Sequence, residues 1–92
     1  MRVQEVEIYS DATNHAVLRH PERRFPGLLI QGDTLYSLCA AADRICAKAC
    51  DALDAETFAE LNQLRSGLRE RLTHYKDVLR QHDIPLPFSE TP

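Results

Sequence analysis

The sequence predicts an α+β fold: a small two-layer domain in which a short antiparallel sheet from the N-terminal third packs on an antiparallel helical hairpin. Three observations carry this. Up to Ile30 the apolar residues alternate with polar ones or come in short runs; from Thr34 onward they recur at spacings of three and four; and a polar break, Asp51 to Asp54, divides that second region in two. The 92 residues are read as a single domain, with strands and loop over 3–31, a helix over 34–50, a long helix over 55–82 and an extended tail over 83–92.

The first strand is expected between Val3 and Tyr9, where Val6 and Ile8 alternate with Glu5 and Glu7, the period of two of a strand with one wet face. Turn formers follow in Ser10–Asp11–Ala12–Thr13–Asn14. Ala16, Val17 and Leu18 form a second apolar run and Leu28, Leu29 and Ile30 a third, which is expected to be buried. Between these two runs lies a stretch with Pro21 and Pro26, neither of which can donate to a ladder, so an open loop fits better than a tight turn.

Gly32 is expected to let the backbone turn tightly and Asp33 to cap the helix that follows, whose stripe is Leu35, Leu38, Ala42, Ile45 and Ala49. Cys39, Cys46 and Cys50 lie together beside that stripe, and Tyr36, Ala40 and Ala47 carry the apolar surface further round. Such a helix wants two neighbours. The second helix is one. The other is the sheet or a partner surface centred on Tyr36, Cys39, Asp43, Ala47 and Cys50.

Asp54 is placed to cap the second helix, whose stripe is Phe58, Leu61, Leu64, Leu68, Leu72, Tyr75 and Leu79. At 1.5 Å per residue this helix spans about 40 Å. Gly67 in its middle costs about 1 kcal/mol relative to alanine, which points to a bend or a close contact. Pro85 and Pro87 stop the helix, and Phe88 is placed to fold back on the core.

Composition narrows function. Apolar content of 43% with 27% charged residues is that of a globular chain, and no apolar run approaches the roughly 18 residues of a membrane span. The start, MRVQEVEIYS, lacks the apolar core of a secretory signal, and three cysteines within one helical pattern do not make a disulfide framework; a reducing cytoplasm is expected. A net charge of −3 argues against a general nucleic-acid binder.

No catalytic constellation emerges. Cys46 and Cys50 have a spacing that can hold a metal, but no second ligand pair accompanies them; His15, His20, His74 and His82 are scattered over different elements; and PGLLIQGD lacks the ending of a phosphate loop. No enzyme, metal or cofactor is expected. Arg65, Arg69, Lys76 and Arg80 flank the long helix's apolar stripe, where they serve either as a phosphate-tracking surface or as a solvated rim paired with nearby acids.

The stretch Arg24 to Leu35, RFPGLLIQGDTL, together with the downstream LTHYKDVLRQHDIPLPF, resembles a family of small uncharacterised bacterial proteins, a domain of unknown function marked by an FPGLLIQGD-type box. The resemblance implies a bacterial cytoplasmic protein and transfers no activity. Within the box, Arg23, Arg24, Phe25 and Gln31 have no evident structural use, and an aromatic flanked by arginines suits an interface. The sequence therefore points to a noncatalytic protein-binding module contacting its partner through Arg23, Arg24, Phe25, Gln31, Tyr36 and Asp43. An immunity protein that blocks the active site of a cognate toxin is one concrete form. The alternatives are a homodimer formed through the second face of the first helix, and a weak binder of nucleic acid or phosphate ligands through the basic stripe.

Overall fold

The computed structural model describes residues 1–90, so the last two positions of the expected tail, Thr91 and Pro92, lie outside the described residues. The chain is α+β and divides into two compact units, the first ending at Gln31 and the second beginning at Gly32.

The first unit is a three-stranded antiparallel sheet in the order β1 (Glu7–Ser10), β2 (Val17–Arg19), β3 (Gly27–Leu28). Ile8 pairs with Leu18 and Glu7 with Arg19, and a register shift between Ile8 and Ser10 leaves Tyr9 as a bulge. The Glu7–Arg19 pairing places opposite charges directly across the ladder, where the two side chains form an ion pair. Val17 pairs with Leu28 and Leu18 with Gly27, and the Leu29 N–H extends the link by donating to the Ala16 carbonyl at 2.8 Å.

The expected burial of Leu28, Leu29 and Ile30 is corrected: they are 57%, 47% and 37% exposed. Pairing satisfies backbone groups, but strands this short offer a face too small to enclose large side chains. Only Ala16 to Arg19 in this unit are even half-buried.

The second unit is a helical hairpin, α1 (Gly32–Ala49) and α2 (Ala55–Gln81), packed against each other. Asp54 caps α2 from extended backbone, its carboxylate accepting the Thr57 N–H at 2.7 Å, and that bond holds the carboxyl below its ordinary pKa. Helix α1 starts earlier than the sequence suggests. Asp33 therefore sits inside the first turn rather than before it, favouring the positive end of the helix while its carboxylate accepts the Thr34 N–H at 2.8 Å.

Gly32 has a different purpose from the tight turn expected of it. Its φ is not positive; instead the Tyr75 ring of α2 lies against its α-carbon, in the space a Cβ would occupy. A glycine here lets the two backbones approach.

The seam between the helices is also rotated from the expected stripe. Leu35, Cys39, Ala42 and Cys46 are the buried residues of α1 besides Gly32, and Leu35 and Cys39 cluster with Leu72 and Leu68, while Leu38 and Ile45 remain 45% and 54% exposed. The rotation brings Asp43 of α1 onto α2, where Arg65 Nε donates to one carboxylate oxygen at 2.6 Å and Arg69 pairs with the other. Small thiols at the seam permit the close approach that this clamp needs.

Helix α2 ends in a left-handed turn. Asp83 has φ of 56°, the Ile84 N–H donates to the Leu79 carbonyl at 2.9 Å and the Asp83 N–H to that of Arg80 at 3.2 Å, which together satisfy the last carbonyls of the helix. The chain then turns back, and Phe88 stacks on Tyr36 with ring centroids 4.3 Å apart. Glu90 pairs with Lys76, so the tail straps both helices.

Candidate functional site

The tip between β2 and β3 is built by local hydrogen bonds. The Arg23 N–H donates to the His20 carbonyl at 2.9 Å, the Glu22 N–H donates to His20 Nδ1 at 3.1 Å, and the Arg19 guanidinium reaches the Arg23 carbonyl at 3.1 Å. These bonds hold the backbone just ahead of Arg24 and Phe25. Pro26 then removes a donor at the start of β3.

Phe25 is 71% exposed, and the Arg24 guanidinium carbon lies 5.3 Å from its ring centroid, within cation–π range. Beside the ring is a shallow groove of about 170 Å³ lined by Leu18, His20, Arg23, Phe25, Leu28 and Leu29. Arg23 thus borders the same groove as Phe25. Gln31 is exposed at the end of this unit.

The other two residues singled out for binding are engaged elsewhere. Tyr36 is covered by Phe88. Asp43 is clamped by Arg65 and Arg69; the hydrogen bond from Arg65 foremost, with the neighbouring positive charge, holds its carboxyl below the ordinary value of 3.8. Burial pushes the Cys39 thiol up, against the pull of Arg69. Of the face centred on Tyr36, Cys39, Asp43, Ala47 and Cys50, Cys39 is buried in the hairpin's own seam and Tyr36 and Asp43 are engaged within the chain, while Ala47 and Cys50 are exposed.

The basic stripe is likewise satisfied within the chain. Arg65 and Arg69 hold Asp43, Lys76 holds Glu90, and Arg80 pairs with Asp77 at 3.1 Å. Each cation has a carboxylate already. Cys46 is buried and Cys50 exposed, its thiol directed to the Ala47 carbonyl at 3.5 Å, so the two do not converge on one point. Among the described residues, no three His, Cys, Asp or Glu side chains gather as a metal site would require. Nor, among the described residues, is any helix long and apolar enough to cross a membrane.

What sequence reasoning missed is the pairing of Asp43 with α2. A signal existed: two arginines four residues apart on one helix, and on the other an acid, Asp43, with Cys39, Ala40, Cys46 and Ala47 three and four residues away.

Residues 1–88 match the model of a family of unknown function (DUF6959), and the chain belongs to that family. No curated protein and no solved structure matches it.

Proposed function

We propose that the protein is a noncatalytic protein-binding module that occupies a partner's surface through the Arg23–Arg24–Phe25 tip and the groove beside it. The observation that supports this reading is the exposure of Phe25 on a hydrogen-bonded loop with Arg24 over its ring. An aromatic held in place loses little conformational freedom on binding, and arginine and aromatic residues are enriched among contacts that dominate binding energy. Leu28, Leu29 and Ile30 extend the apolar surface next to it in sequence, and exposed apolar surface of this kind marks interaction sites.

One concrete form of such a module is a bacterial immunity protein, acting in the cytoplasm by covering the active site of a cognate toxin. A small chain that neutralises by occlusion needs a shaped surface and no chemistry of its own. The basic stripe supports a nucleic-acid reading less well, because its cations are already paired with carboxylates.

The test is affinity capture from the native lysate with the wild-type chain, Phe25→Ala and Arg24→Glu in parallel. The expected result is a partner retained by wild type and lost from both variants, with the partner's activity suppressed by wild type alone. Retention that is identical for all three chains would sink the proposal.

A further inference from the structure

Four exposed or half-buried residues of α2, Glu60, Leu64, Gly67 and Arg71, line a single groove together with Gln63 and Leu68. Their spacing is four, three, four, which keeps all four within about 60° of the helix circumference. That order reads the same in both chain directions. A second α2 laid antiparallel on the first therefore sets Leu64 opposite Gly67, Glu60 opposite Arg71, and Gln63 opposite Leu68.

Glu60, Leu64, Gly67 and Arg71 each lack an explanation within the chain. Leu64 is 61% exposed. Gly67 sits mid-helix at a cost in helix propensity, yet a Cβ there would meet only the Arg71 side chain at 3.5 Å, so nothing in the hairpin demands a glycine. Among the described residues neither Glu60 nor Arg71 has an ion-pair partner, and Arg71 folds back to donate to the Gly67 carbonyl at 2.9 Å. An antiparallel copy supplies all that is missing. It fills the hollow over Gly67 with a leucine and gives each Arg71 a carboxylate.

The flank of the hairpin agrees. Asp43 and Arg69 define one side of the seam by their ion pair. Leu38 lies about 140° from Asp43 around α1, and Leu64 lies about 140° from Arg69 around α2, which puts Leu38, Ile45 and Leu64 on the opposite side. All three are exposed.

We infer that the protein associates with a second copy of itself through this flank, the two α2 helices crossing antiparallel with Leu64 of each chain seated over Gly67 of the other and two Glu60–Arg71 pairs closing the ends. A two-fold interface of this kind is self-complementary by construction. It uses none of the residues of the Phe25 tip, so either reading can fail without the other.

Sedimentation equilibrium from low to high micromolar concentration tests it, with Glu60→Arg and Arg71→Glu measured singly and mixed. The wild-type chain is expected to dimerise. Each reversal alone sets like charges opposite one another twice and is expected to weaken association by more than about tenfold. An equimolar mixture of the two variants, in which every facing pair is again opposite in charge, is expected to form a heterodimer near wild-type affinity. Should either reversal disturb folding, as judged by circular dichroism, Gly67→Met gives a second readout, since it fills the hollow with a good helix former and is expected to abolish dimerisation. A wild-type monomer at every concentration overturns the inference, as does a dimer indifferent to both the reversals and Gly67→Met.

Discussion

The sheet unit and the helical hairpin divide the work of the chain unevenly. Among the described residues, every buried one lies between Gly32 and Leu72, in the hairpin, and none lies in the sheet. In the sheet unit, Val3, Ile8, Tyr9, Phe25 and Leu28 are more than half exposed. Apolar side chains thus stabilise the fold in one unit and remain exposed in the other. The lesson is that hydrophobicity alone does not locate a core: neighbours on more than one side are needed, and the hairpin supplies them.

The largest effect that follows is on Leu72, 4% exposed and central to the seam. Replacing it with alanine is expected to cost about 2–4 kcal/mol in denaturant unfolding, whereas Phe25→Ala in the sheet unit should stay within about 0.5 kcal/mol. Equal losses would break the comparison. Gly32→Ala comes next, because its new methyl group falls within the Tyr75 ring and must displace it; a loss of about 1–3 kcal/mol is expected, recovered in part by Tyr75→Leu.

The smallest effect concerns acid. Asp43 and Glu7 are both held below their ordinary carboxyl range, Asp43 chiefly by its hydrogen bond with Arg65 and Glu7 chiefly by its hydrogen bond with Arg19. A depressed folded pKa means stability that is present above the unfolded value and lost as pH falls through the folded one. Stability should therefore decline below about pH 4. Asp43→Asn should flatten that decline more than Glu7→Gln does, because Asp43 bridges two arginines across the helix seam. Acid titrations of the three chains followed by circular dichroism check this, and a steeper dependence on Glu7 would shift the electrostatic weight to the sheet.

The fold class was legible because both helices announce themselves through long-period apolar spacing, and Asp54 marks the entry to α2 by its side chain alone. The rest needed non-local information. Two stripes on α1 differ by a single residue step, and the larger aliphatics Leu38 and Ile45 outweigh Cys39 and Cys46 in any hydropathy reading. The inward stripe is the one that also sets Asp43 against its two arginines, and those lie more than twenty positions away. The apolar run at Leu28 to Ile30 misled for a related reason, since burial depends on what covers a strand and not on its own composition. Of the candidate site, Arg24 and Phe25 could be read from the loop, but the engagement of Tyr36 by Phe88 could not.

The chain has three tyrosines and no tryptophan, and their placement has a spectroscopic consequence. Tyr75 abuts Gly32 at the start of α1, Tyr36 lies under Phe88, and Tyr9 stands in β1 with 59% of its surface in water. Intrinsic emission from two of the three fluorophores therefore comes from the hairpin, one sensing helix closure and the other the return of the tail. Single Tyr→Phe replacements would separate these signals, so the molecule carries its own optical reporters without any label.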